Sequence, residues 1–363
     1  MNASSPRTIL LAGTHKGAFL FVSNEKRTQW ELQGPFFPGL DVNDFRCDLR
    51  QEPPRLLAAV SSWKGHGVHC SRDLGQTWEA PEAPLFFDDH DAPIKRLWVV
   101  EPGAPETPGV LYAGVDPAAL MKSEDGGKTW QEVGGLLNHP TRERWQPGGG
   151  GMMVHSICVH PSQPHKIHVG ISAAGVFSTG DGGATWEPRN RGVRADFQEE
   201  KYPEVGQCVH HLAMHPDRPE VLYQQNHCGV YRSDNEGREW VDISEGLPSR
   251  FGFPLLIHPH DPDTIYVIPE QRETYRVPID TEFAVYRSRN RGETWEKLNR
   301  GLPGPHAYLN VLRQAMAADS GDPCGIYVAT NTGQIFYSLD EGDSWSLLAN
   351  WLPPIYSLSA AMI

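Results

Sequence analysis

Short apolar runs separated by polar turns recur along the whole chain, and no segment sustains the 3.6-residue period of a long helix. Val154-His155-Ser156-Ile157-Cys158-Val159 reads as a strand, followed by the turn His160-Pro161-Ser162-Gln163-Pro164. A second strand from Lys166 to Ile171, a turn at Ser172 to Ala174 and a third strand from Gly175 to Ser178 come next. A polar octapeptide ending in Trp186 then leads into an outer strand from Thr185. The following segment has the same order: Val209 to Met214, the turn His215-Pro216-Asp217-Arg218-Pro219, Val221 to Gln225, and the turn Asn226 to Cys228. Four short strands joined by Gly- and Pro-bearing turns predict one antiparallel sheet per unit.

The octapeptide sets the period. It follows Ser/Thr-x-Asp-x-Gly-x-Thr-Trp and stands as SRDLGQTW from Ser71, SEDGGKTW from Ser123, TGDGGATW from Thr179, SDNEGREW from Ser233, SRNRGETW from Ser288 and SLDEGDSW from Ser338. A worn copy, SNEKRTQW from Ser23, lies one period upstream. The starts are 48, 52, 56, 54, 55 and 50 residues apart, the mark of one supersecondary unit per copy. Asp or Asn accepts backbone N–H groups in such a turn, Gly supplies positive φ, and Trp packs between sheets. Seven four-stranded units account for residues 1–363 as a single all-β domain, a seven-bladed β-propeller. The last segment, Ile355-Tyr356-Ser357-Leu358-Ser359-Ala360, matches Val154 to Val159, whereas the first repeat begins at Thr8 without an inner strand. The C-terminal strand is therefore expected to join the N-terminal blade and close the ring, which removes both sheet edges.

Composition narrows the partners. The 36 Gly, 31 Pro and 11 Trp suit blades, and a net charge of −13 argues against nucleic acid and anionic membranes as main partners. The start Met1-Asn2-Ala3-Ser4-Ser5-Pro6-Arg7 carries no signal pattern, and no stretch is apolar enough to span a bilayer. Six cysteines without CxxC spacing suggest reduced thiols in a cytoplasmic protein.

The octapeptide resembles the Asp-box, or BNR repeat, of sialidase-like β-propellers. The runs Gly148 to Ser156 and Gln224 to Ser233 also look like a group of bacterial BNR proteins labelled glycosyl hydrolases or exo-sialidases. Because this turn recurs in glycosidases, lyases, receptors and assembly factors, the resemblance implies fold, and function has to be argued from the site. In sialidases the active site lies on the face that carries the inter-blade connections and the second-to-third-strand turns, and the resemblance implies that face here. The long connections Gln131 to Met153 and Glu187 to Cys208 agree with it.

His155 and His210 hold equivalent positions at that end of neighbouring inner strands, and His227 lies in the turn of the same blade as His210. Three imidazoles with an open position suit one divalent metal, zinc or manganese, with Gln207, Gln225 or Glu270 as further ligands. His211 and Glu270 are the candidates for proton transfer. His15, Trp63, His66, Arg96, Arg144, Arg313 and Tyr356 fall on the same face as candidate substrate-binding residues; Trp63 and Trp145, where exposed, would stack on sugar rings, although Trp packs between blades just as readily. The segment 194–202 has the charges and aromatics of a substrate loop. A sialidase needs three arginines, a Tyr–Glu pair and an Asp acid. Here the family's Arg-Ile-Pro start is missing and the repeats number seven rather than six, although Arg46, Arg96 and Arg313 are expected on inner strands and Tyr356 on the closing one. A two-carboxylate glycosidase using Asp116 and Glu270 is a further option. The reading is a hydrolase or lyase acting on a carbohydrate or other small polar substrate at the channel mouth. The alternative is a non-catalytic scaffold, like the photosystem assembly factors built from such blades.

Overall fold

The computed structural model describes residues 6–87, 93–271 and 274–363, and these form seven antiparallel sheets arranged as a seven-bladed β-propeller. Blade 1 consists of Ile355–Met362, Thr8–Thr14, Gly17–Ser23 and Trp30–Phe36, counted outward from the axis. The inner strands of blades 2 to 7 are Asp41–Asp48, Arg96–Pro102, Val154–Val159, Val209–His215, Gly252–His258 and Met316–Ala318. Blade 2 has three strands, and a single bridge between Cys70 and Glu79 stands where the other blades have a fourth. The ring closes as the pattern predicts: Thr8 pairs with Met362 and Thr14 with Ile355. No helix among the described residues is long and apolar enough to cross a membrane. All six cysteines are free thiols.

The octapeptide folds into a closed local unit. In the second copy the Ser71 hydroxyl donates to Asp73 Oδ1 at 2.8 Å and accepts the Gly75 N–H at 2.8 Å. Thr77 donates its N–H and its hydroxyl to the two Asp73 oxygens, at 2.9 and 2.6 Å. Leu74 and Gly75 both take positive φ, 56° and 90°, which is why glycine holds the fifth position. The worn copy keeps the turn with other atoms: Asn24 Oδ1 accepts the Thr28 N–H at 2.9 Å, and Arg27 adopts φ 55°. The three His-Pro turns have a comparable role. His160, His215 and His258 each accept, on Nδ1, the N–H two residues onward.

The apolar core lies between blades rather than within them. One cluster joins Leu10 and Phe21 of blade 1 to Tyr327 and Val328 of blade 7 and to Tyr266 and Val285 of blade 6. Trp145 belongs to another, 4.8 Å from Phe177 and only 4% exposed, so it is a packing residue and not the sugar platform expected from sequence. Strand direction leaves two faces. The octapeptide and His-Pro turns share one; the inter-blade connections and the second-to-third-strand turns share the other, called the loop face below.

Candidate functional site

The loop face holds a cavity of about 530 Å³, placed off-axis over blades 4 to 7. Its walls come from the 146–150 loop, from Phe197 and Gln198 of the 194–202 segment, and from the first residues of inner strands. Gly148 and Gly151 bridge each other through both backbone pairs, which folds the glycine run into a tight wall. Gly149 lies against the Arg276 guanidinium, 3.9 Å from where a Cβ would stand.

Phe253 organises the floor. The His210 ring stacks on it at 4.7 Å, and the guanidinium carbons of Arg313 and Arg276 lie 5.2 and 5.6 Å from its centroid. His210 donates from Nδ1 to the Gly252 carbonyl at 2.6 Å, so the lone pair of the neutral ring is on Nε2. Burial, with the Arg313 charge adding to it, holds this imidazole well below its usual pKa and hence neutral. His227 meets His210 edge-on at 5.6 Å and packs against Phe251 and Phe197. Cys208, two residues before His210, completes a group whose ligand atoms all lie within 4.8 Å of one another.

His155 is not in that group. Its Nε2 donates to the Val209 carbonyl at 2.9 Å, and its Nδ1 lies 3.0 Å from the Ser156 hydroxyl. Both rings reach the first residue of the next inner strand, but His155 does so through Nε2 and His210 through Nδ1. The repeat therefore makes the two histidines equivalent in position and different in what they offer. Of the expected extra ligands, Gln225 donates to the Asn226 and Arg250 carbonyls, and Gln207 to that of Pro203. The sequence reading missed Cys208, although Cys208-x-His210 is the spacing that places two side chains on one side of an extended segment.

Glu270 stands one hydrogen bond behind the wall. It is 1% exposed, accepts from Asn310 Nδ2 at 3.0 Å, and Asn310 lines the cavity. Burial pushes its carboxyl up to about 7 against those hydrogen bonds. Arg276 adopts φ 46°, a left-handed conformation at the cavity edge, and its carbonyl accepts from Asn310. His211 faces the other way, into a separate channel cavity of about 410 Å³ with Asp44 and Arg46, and burial lowers its pKa to about 4. Alternation along the strand thus parts His211 from His210.

The three arginines do not converge. Arg46 pairs with Asp44 at 2.7 Å and Glu101 at 2.5 Å in the channel wall. Arg313 lies in a turn before the inner strand of blade 7, not on that strand. Gln314 Nε2 donates to the His155 carbonyl at 2.6 Å, and the Gln314 carbonyl accepts the Leu358 N–H at 2.8 Å. Arg96 and Arg313 do share one neighbour, their guanidinium carbons lying 5.4 and 6.0 Å from the Trp98 ring. Tyr356 joins a second polar group: its hydroxyl is 2.8 Å from His15 Nδ1 and 3.1 Å from Asp41 Oδ1. Burial and the Asp41 charge push that phenol up to about 12. His66 donates to the Ile94 carbonyl at 2.9 Å, and Arg144 forms an exposed pair with Glu204.

Among the described residues the exposed Phe, Tyr and Trp side chains are confined to this face: Trp63, Phe86, Phe197, Tyr202, Tyr275, Tyr308 and Trp351 each sit in an inter-blade connection or a second-to-third-strand turn. Trp63 and Trp351 are 88% and 89% exposed. Of the exposed aliphatic residues, Leu32, Val241 and Leu347 lie on outer strands, and Leu49 lies in the first-to-second-strand turn of blade 2 on the opposite face.

No protein-family model matches the chain. An oligoxyloglucan-reducing end-specific xyloglucanase of Emericella nidulans is 22% identical over 317 residues, which cover 76% of this chain and 37% of that protein. The chain thus spans little more than a third of that relative's length. Among solved structures, the GH74 enzyme of Niastella koreensis aligns with a TM-score of 0.57 at 15% identity, covering 98% of this chain and 66% of that one. YCF48 bound to a D1 peptide aligns with a TM-score of 0.53 at 14% identity, covering 93% and 97%. At such identities the likeness is one of fold alone, that of a β-propeller.

Proposed function

We propose that the protein is a hydrolase of extended carbohydrate chains, which lie across the loop face with the reacting linkage in the cavity over blades 4 to 7. The observation that carries this reading is the one-sided distribution of exposed aromatic rings. Large apolar surfaces held in water on one face mark a ligand groove, and flat rings with polar surroundings suit the faces of sugars. The sequence likeness to a xyloglucanase supports a sugar polymer as substrate class. Within the cavity, Arg276 and Arg313 would donate hydrogen bonds to sugar oxygens or a sugar carboxylate. Glu270, balanced between its two protonation states near neutrality, would protonate the departing oxygen once Asn310 yields to the substrate; water adds to the anomeric carbon as that bond breaks, and the proton it releases to solvent restores the acid.

The test is a hydrolysis screen of the full chain against soluble polysaccharides, neutral and uronate-bearing, read as new reducing ends. Cleavage that falls about a hundredfold or more in Glu270→Gln is expected, the scale of a lost general acid. A chain that binds a polysaccharide without cleaving it would overturn the hydrolase and favour a binding scaffold.

A further inference from the structure

The cavity holds three side chains whose donor atoms have no part in the sugar reading: Cys208, His210 and His227. Their ligand atoms lie within 4.8 Å of one another. Bonds of about 2.0–2.3 Å to a tetrahedral zinc would set such atoms about 3.3–3.8 Å apart, so modest side-chain rotation closes the set. His227 sits in the turn between Arg218–Asn226 and Gly229–Ser233, where its ring is carried by a short loop rather than a strand centre.

Independent features around the group match what a metal needs. The Gly252 carbonyl takes the Nδ1–H of His210, and a backbone carbonyl on the far nitrogen is the usual way an imidazole ligand is oriented. The Ser172 hydroxyl, 3.5 Å from Cys208 Sγ, can donate to a thiolate there. Phe253, Phe251 and Phe197 pack on the two imidazoles and form an apolar shell. Cys208, His210 and His227 all border the cavity, so a fourth position would open into it. Arg313 and Arg276 border it too, and their charges favour an anionic oxygen at that position.

We propose that Cys208 Sγ, His210 Nε2 and an imidazole nitrogen of His227 bind one divalent transition metal of the zinc class, with an open coordination site facing the cavity. Sulfur and imidazole donors select zinc over manganese, which prefers oxygen. The expected ligand set Cys208, His210 and His227 replaces the set with His155, whose two nitrogens are engaged elsewhere. A metal in this place would polarise a substrate oxygen or activate water, whatever the substrate class.

The experiment is metal analysis of the full chain after dialysis against zinc, followed by cobalt exchange and an absorption spectrum. One metal per chain and a thiolate-to-cobalt charge-transfer band in the near ultraviolet are expected. Cys208→Ser should abolish that band and weaken zinc binding about a hundredfold, whereas His15→Ala, an exposed histidine on the same face, should keep both. A wild-type chain that takes up no stoichiometric metal, or a cobalt form without the band, overturns the proposal with no variant required. A band that persists in folded Cys208→Ser overturns it as well. None of these readouts uses turnover, so the metal site and the hydrolase stand or fall separately.

Discussion

Glu270 carries a carboxyl in a place where its charge is poorly solvated, and two hydrogen bonds only partly offset that burial. Its raised value has two consequences of known sign. Between about pH 4.5 and 7 the folded chain holds a proton there that the unfolded chain has released, so stability falls as pH rises through that window. The loss is on the order of 3 kcal/mol once the group is ionised. Glu270→Gln stays neutral, so its melting temperature should gain on the wild type between pH 5 and pH 8; a gap that does not change with pH would contradict the shift. If the carboxylic acid is the working form, hydrolysis should hold on the acid side and decline above about pH 7 in a kcat/KM profile. Other residues show how narrow the margin of geometry is. His155 and His210 bond to equivalent positions of the next blade, yet only the one bonding through Nδ1 leaves Nε2 to the cavity.

At the scale of elements, the octapeptide turn is self-contained, with its polar bonds spanning four residues or fewer. Hydrogen bonds from Thr77 and Ser71 hold the Asp73 carboxyl down at about 2, so the turn keeps its charge in all but strong acid. This locality is why the blades were legible in the sequence. The seam between blades 7 and 1 is less local. Asp319, fully buried, receives Arg27 at 2.8 Å, the Tyr327 hydroxyl at 2.6 Å and the N–H groups of Gly321 and Gly325. Removing it strands a guanidinium and several donors at the closure of the ring. Asp319→Ala should cost about 3–5 kcal/mol in a denaturant titration, the scale of a broken buried pair; a cost below about 1 kcal/mol would show that the closing strand pairing alone holds the seam.

For the whole molecule, the repeat period and the closing strand were readable because each depends on local chemistry repeated along the chain. The cavity was only half readable. The loop face, His210 and His227 followed from position within a repeat, whereas Arg313 reaches the cavity from a turn before the strand on which it was expected. Cys208, Phe253 and Arg276 did not, because their meeting depends on how separate blades and loops pack and no repeat equivalence signals it. His211 and Arg46 went to the channel for the same reason. What unites the face is its set of exposed rings, three of which, Trp63, Tyr308 and Trp351, belong to different blades. A sugar chain laid across the loop face would rest on them. The direct measurement is calorimetric binding of an oligosaccharide drawn from whichever polysaccharide is cleaved, compared between the wild type, Trp63→Ala and Trp351→Ala. Each substitution should weaken binding by roughly tenfold, about 1.4 kcal/mol, with the melting temperature unchanged because both rings are almost fully exposed. Undiminished affinity in both variants would contradict that placement and leave the aromatic face without a role in substrate binding.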